Sequence, residues 1–239
     1  MHITSFGCSF TFGTELSDDN GNLLCPNPSK LTWPAASKLT WPALIAHAVG
    51  TTYLCAAQGG LGNLTILDRV MIHCSIRPAD LLIINWTFAD RFDYSDPDGR
   101  HFDNGVNDYL TARPGESDPV SDFYFRNMHS ERRDKITNLI YIKTVIDHLI
   151  DADVKFLMTS IDSTLFCQRW HAPSHVVKLQ DAIRPYIHDF EGKNFLDWSR
   201  HRGFPITAAG HPLEEAHAAA AELMLPNVKQ ILEPGVNKK

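Results

Sequence analysis

Six consecutive residues, Asp80 to Asn85, read DLLIIN. A run this short and this apolar has no polar side to turn toward water. It therefore specifies a strand covered on both faces, the kind found in parallel sheets. Val154 to Thr159 (VKFLMT) carries the same signature, and His2 to Phe6 and Thr52 to Ala56 are shorter strands of the same set. Helical stretches separate them. Thr40 can cap a helix that has Pro42 in its first turn, continues through Val49 and closes at Gly50. Asn63 to Ile76 puts Ile66, Val70 and Cys74 on one face. Residues 131–151 turn Ile136, Leu139, Ile140, Thr144 and Ile146 inward. Ser174 to Asp189 and the alanine-rich Pro212 to Leu225 complete the helices, and Phe195 and Leu196 read as a last short strand. Strands alternating with helices predict an α/β fold with a parallel sheet and right-handed crossovers.

Two segments fall outside that alternation. Phe88 to about Ser130 holds Gly, Pro, Asp and aromatic residues with no helical period, which reads as an irregular, lid-like insertion over about 88–130. Its aromatic residues, Phe88, Phe92, Tyr94, Tyr109, Phe123 and Tyr124, are expected to pack in the core or the lid ahead of serving as a sugar platform. The heptapeptide SKLTWPA occurs at Ser29 to Ala35 and again at Ser37 to Ala43. Two copies are too few for a solenoid. Pro42 prevents the first copy from extending the helix of the second, so the first is expected to form a surface turn or a short separate helix. No linker divides the chain, and 1–239 is read as a single domain.

Charge and cysteine content exclude several function classes. The net charge is −6 with a pI near 6.0, which leaves no electrostatic footprint for nucleic acid. Cys8, Cys25, Cys55, Cys74 and Cys167 are odd in number, widely spaced and without a CxxC pair. They fit free thiols in a reducing cytoplasm better than a disulfide framework or a zinc site. The N-terminal MHITSFGCSF lacks a basic and then apolar leader, and no apolar run is long enough to span a membrane. His171 and His175 stand four apart but have no third ligand, and His217 lies six residues beyond His211. No metal or cofactor is expected.

In open parallel sheets ligands gather at the carboxyl ends of the strands. Gly7-Cys8-Ser9-Phe10-Thr11-Phe12-Gly13 follows the first strand and Gln58-Gly59-Gly60-Leu61-Gly62-Asn63 the second. Asn85-Trp86-Thr87 ends the third, and Gly210-His211-Pro212 opens the final helix. A serine at such a turn is accessible as a nucleophile, and a histidine can take its proton and pass it to a leaving group. A glycine N–H can approach a substrate closely, and a polar side chain can complete an oxyanion site.

In this order the four blocks resemble the SGNH, or GDSL-like, hydrolase family, over a span from Gly7 to His217. Gly7-x-Ser9 with Gly13 is similar to the nucleophile block, with Cys8 where GDSL members carry Asp. Gly60 with Asn63 resembles the second block, whose glycine N–H serves the oxyanion hole. Asn85-Trp86-Thr87 stands where the third block has Gly-x-Asn, and His211-Pro212 resembles the block with the catalytic histidine. The resemblance implies a three-layer α/β/α, flavodoxin-like fold and metal-free hydrolysis of acyl, often acetyl, esters of small molecules or carbohydrates. Ser9 and His211 would be catalytic, and Gly60, Asn63, Asn85 and Thr87 would bind the oxyanion or the substrate.

Two positions depart from that pattern. Thr87 replaces the asparagine of the third block. Ala208 stands three residues before His211, where the family has the Asp that orients the imidazole. That leaves a Ser-His dyad, a backbone carbonyl on His211, or another acid among Asp162, Asp197, Glu214 and Glu215. It also leaves open a binding protein without catalysis, and acyl transfer to an acceptor other than water.

Overall fold

The computed structural model describes residues 1–19, 36–76, 79–95, 109–168 and 174–233. The first SKLTWPA copy, Cys25, Trp170 and His171 lie outside the described residues, as does most of the polar loop after Ser17.

Four parallel strands form the main sheet in the order β2–β1–β3–β6. They are β1 (His2–Phe6), β2 (Thr52–Cys55), β3 (Leu81–Trp86) and β6 (Phe156–Ser160). All six residues of β3 are buried, as a strand with two covered faces requires. Alternation then divides the core in two. Ile3, Leu81, Ile83 and Leu157 face a layer built on α2 (Trp41–Ala48), α7 (Phe195–Arg202) and α8 (Glu214–Leu232). Phe6, Leu82, Ile84, Trp86 and Met158 face α3 (Asn63–Ile76), α5 (Glu131–Asp151) and α6 (Ser174–Ile183). The result is a three-layer α/β/α fold. From β1 the chain steps to β2 on one side, then crosses back to β3 on the other. That reversal opens a crevice at the carboxyl ends of β1 and β3.

The second SKLTWPA copy starts α2 as read, with Thr40 at the N-cap and Pro42 in the first turn. The Thr40 side chain makes no capping bond. Instead the Trp41 N–H donates to Nδ1 of buried His217 across the layer, at 3.1 Å. Asn63–Ile76 and Glu131–Asp151 have the bounds read from the sequence.

Five readings need correction. The 88–130 stretch is not irregular throughout. Among the described residues it contains the antiparallel pair β4 (Phe92–Ser95) and β5 (Tyr109–Ala112), then α4 (Pro119–Asn127). Asp118 caps α4 by accepting from the Val120 and Ser121 N–H groups, and Phe92 stacks on Tyr124 at 4.3 Å between ring centroids. Phe195 and Leu196 start a helix rather than a strand, because the Asn194 side chain accepts from the Asp197 N–H and fixes a first turn. The buried stripe of α5 is Leu139, Ile142, Val145, Ile146 and Leu149, while Ile140 and Thr144 are exposed. The helix begun at Ser174 stops at Ile183, where Pro185 converts it to a 3₁₀ turn. The last helix continues through Pro226 to Leu232, since Met224, Val228 and Ile231 all bury against the sheet. That burial outweighs one lost backbone bond.

Candidate active site

β1 delivers the chain into α1 (Ser9–Phe12), a single turn that starts at the crevice. Ser9 sits at its first position and is 6% exposed. His211 arrives from the far end of the sequence on a closed turn. There the Thr207 N–H donates to the His211 carbonyl (3.0 Å), the Gly210 N–H to the Thr207 carbonyl (3.0 Å) and the His211 N–H to the Thr207 hydroxyl (3.1 Å). An Ile206–Pro212 bridge closes the base of this turn. The imidazole is held edge-on to Phe10, 5.5 Å between ring centroids. Its Nε2 lies 2.9 Å from Ser9 Oγ, within reach for proton transfer.

The other ring nitrogen has a partner that sequence reasoning missed. His211 Nδ1 lies 2.5 Å from Oε2 of Glu15. Glu15 comes from the loop that carries Ser9, six residues farther on. Gly13 closes α1 in the left-handed region (φ +88°), which an L side chain rarely adopts, and the loop turns back from there. Glu15 is itself left-handed (φ +68°), and its N–H donates to Asp19 Oδ2 at 2.9 Å. The Thr207 hydroxyl donates a second bond to Glu15 Oε2, at 2.7 Å. The Thr207 bond, then the His211 bond, hold the Glu15 carboxyl below its ordinary value.

None of the four acids considered from sequence is placed on the imidazole. Asp162 accepts from the Ala89 and Thr164 N–H groups, Asp197 pairs with Asn194 and Arg200, and Glu214 accepts from the Ser17 N–H. Glu215 stands beside Glu214 in the first turn of α8. The signal for Glu15 was thin: one carboxylate just past a glycine that can reverse the chain.

The Gly59–Gly62 turn lies against Ser9. A methyl group built on Gly59 would stand 3.9 Å from Ser9 Cβ and 3.5 Å from Thr14 Oγ1. Gly60 follows, and the Arg113 guanidinium lies over it while pairing with Glu116. The other predicted polar residues sit behind the crevice. Asn63 donates to the Thr87 carbonyl (3.0 Å) and to Asn138 Oδ1 (2.6 Å), and accepts from the Thr87 N–H (2.8 Å). Asn85 Oδ1 accepts from the Thr159 hydroxyl in the neighbouring strand. The Thr87 hydroxyl and Asn85 Nδ2 are buried without a hydrogen-bond partner among the described residues. Asn63 therefore fastens α3 to the end of β3.

A cavity of about 350 Å³ opens farther along the same edge, lined by Phe88, Asp90, Lys135, Asp162, Cys167 and Asp197 among others. Neither Ser9 nor His211 lines it. Among the described residues no group of three or more His, Cys, Asp or Glu side chains is arranged to hold a metal ion.

No protein-family model and no curated protein matches the sequence. Solved structures do match in shape. TesA aligns over 97% of this chain and 99% of its own, with a TM-score of 0.52 and 13% identity. The psychrotrophic esterase EstA from Pseudoalteromonas sp. aligns over 97% and 98%, with a TM-score of 0.51 and 10% identity. A carbohydrate esterase aligns over 98% of this chain and 69% of its own, with a TM-score of 0.50 and 14% identity. With the parallel sheet, the two helical layers and the crevice at β1 and β3, these likenesses show that the chain has an SGNH/GDSL-like hydrolase fold.

Proposed function

We propose that the protein is a serine ester hydrolase that works through a Ser9–His211–Glu15 triad. The observation that carries this reading is the continuous set of contacts from Ser9 Oγ to His211 Nε2 and from His211 Nδ1 to Glu15 Oε2. Ser9 Oγ attacks the acyl carbon as its proton passes to Nε2. The imidazolium then protonates the departing alkoxide, which leaves an acyl-Ser9 ester. Water attacks that ester, gives its proton to Nε2, and Ser9 regains a proton as the carboxylic acid leaves. Glu15 accepts from Nδ1–H throughout, which selects the tautomer with its lone pair on Nε2 and supports the charge formed there. The backbone N–H groups of Ser9 and Gly60 serve the oxyanion.

Glu15 removes the reason Ala208 gave for a binding protein without catalysis, since a carboxylate does face Nδ1. The esterases among the structural neighbours support an ester substrate, either of a small molecule or of a carbohydrate. We read residues 1–239 as one domain, because one site draws on residues 9 and 211, and the 88–130 stretch as an insertion over the site. Free thiols at Cys8, Cys55, Cys74 and Cys167 support a reducing, cytoplasmic setting. No helix among the described residues is long and apolar enough to cross a membrane. The test is hydrolysis of p-nitrophenyl acetate with Ser9→Ala as the control. The wild type should turn over and be labelled by a fluorophosphonate, and Ser9→Ala should do neither. Equal rates would refute Ser9 as the nucleophile.

A further inference from the structure

The β4–β5 pair stands outside the main sheet, yet its neighbourhood grips the Gly59–Gly62 turn at three successive residues. Arg113 lies over Gly60. Arg91 Nη1 donates to the Leu61 carbonyl at 2.7 Å. Asp93, 8% exposed, takes Gly62. Its Oδ1 accepts from the Gly62 N–H at 3.1 Å and from the Thr111 hydroxyl at 2.6 Å, and its Oδ2 accepts from the Thr65 N–H at 2.8 Å.

Gly62 and Thr65 bear two of the amides at the start of α3 that no carbonyl of the helix can satisfy. A carboxylate from a different element satisfies both. Thr111 is the residue opposite Asp93 in the β4–β5 register, so the hairpin also supplies the hydroxyl that orients the carboxylate. Gly62 leaves no room for anything else, since a methyl group there would fall 2.6 Å from Asp93 Cγ. Burial pushes the Asp93 carboxyl up from its ordinary value. Holding a carboxylate there works against desolvation, so the residue is a poor choice for stability alone.

We propose that Asp93 is a positioning residue for the ester hydrolysis: by fixing Gly62 it aims the Gly60 N–H at the oxyanion. This rests on the function proposed above. It gives the insertion a task at the reaction centre, as the external brace of the oxyanion turn. A donor held a fraction of an ångström off its mark loses much of its differential hold on the transition state, while substrate binding changes little.

The experiment compares Asp93→Ala, Asp93→Asn and Thr111→Val in kcat and KM for p-nitrophenyl acetate. It adds inhibition by a phenylboronic acid, thermal midpoints, and amide hydrogen exchange over residues 59–65. The boronic acid adds to Ser9 as a tetrahedral adduct with an oxygen in the oxyanion site. Asp93→Ala should lower kcat about 30-fold or more with KM within about threefold, and boronate affinity should fall in parallel with kcat. Asp93→Asn, which keeps one acceptor oxygen, should recover part of that loss and melt close to the wild type. If Asp93→Ala does not fold, Asp93→Asn and Thr111→Val carry the test, each with a kcat loss of about 5-fold or more at unchanged KM.

A folded Asp93→Ala with kcat within about threefold of wild type would overturn the proposal, as would losses in kcat that only follow the thermal midpoint. A wild type that neither hydrolyses esters nor binds the boronate overturns the proposed function instead. In that event faster exchange over residues 59–65 in Asp93→Asn still supports the brace, and unchanged exchange overturns it.

Discussion

Replacing Glu15 by Gln keeps the shape of the proposed triad's third member and removes its charge. The Glu15 side chain is 42% exposed and that of His211 17%. An imidazolium and a carboxylate about 4 Å apart between charge centres attract by about 1 kcal/mol in bulk water and about 4 kcal/mol at an effective dielectric of 20. A carboxylate this open to solvent belongs toward the lower end, about 1–3 kcal/mol after screening. If that attraction is gained only when the imidazole charges in the transition state, kcat falls about 5- to 150-fold. A buried acid in a serine protease triad is worth about 10⁴-fold, so the exposed Glu15 should matter distinctly less. The assay is kcat for p-nitrophenyl acetate at low and high salt, with a fluorophosphonate titration to count active sites. The gap between the wild type and Glu15→Gln should narrow in 1 M salt, since the pair is exposed. A Glu15→Gln enzyme within about twofold of wild type at low salt refutes the role given to Glu15.

Two stability effects follow from groups behind the site. Burial pushes His217 down to about 3, with Glu214 pulling weakly the other way, and its neutral Nδ1 accepts from the Trp41 N–H. Because the folded value lies below the ordinary 6.5, the unfolded chain binds more protons as pH falls below 6.5. Stability from this group is therefore complete above 6.5 and is lost toward pH 3, on the order of 5 kcal/mol in all. His217→Gln keeps an acceptor for Trp41 and should flatten the fall in urea-unfolding stability between pH 7 and pH 4; an unchanged slope would contradict this. Asn63→Ala removes three buried hydrogen bonds and strands the Thr87 N–H, so it should cost about 2–4 kcal/mol by chemical unfolding. A loss below about 0.5 kcal/mol would mean that water or a neighbour replaces the clamp.

The sheet was legible chiefly through β3, which is apolar on both faces: DLLIIN has only one way to bury every side chain. β1 carries Thr4 and Ser5 among its apolar residues and was read from its place in the alternation. The bounds of α3 and α5 followed from periodicity. Errors arose where a local rule met a tertiary force. Pro226 reads as a stop, but the apolar stripe on both sides of it holds α8 together. Phe195-Leu196 is too short for periodicity to assign, and the Asn194 cap decided it. On α5 Leu139 and Ile146 were read correctly, but Ile140 and Thr144 were taken as inward and are exposed. At the candidate site, Ser9 and His211 were singled out from short motifs at strand and helix ends, and the structure brings them within 2.9 Å of each other. Glu15 was not, because it is recognised only by its contact with a residue 196 positions away. Asn63, Asn85 and Thr87 were read as binding the oxyanion or the substrate; the structure buries all three, with Asn63 tying α3 to the end of β3.

Ser9 and Glu15 belong to one short loop, while His211 and Thr207 belong to another. In register terms the first loop is a jig with two fixed points, and the imidazole is the part seated between them. Thr207, on the same turn as His211, reaches the same carboxylate oxygen and stops the part from rotating about its seat. A shift of the 205–213 turn cannot break the contact to Ser9 and spare the one to Glu15, because both anchors stay behind together. Alignment of Ser9, His211 and Glu15 is thus a single mechanical event, the seating of one turn against one loop.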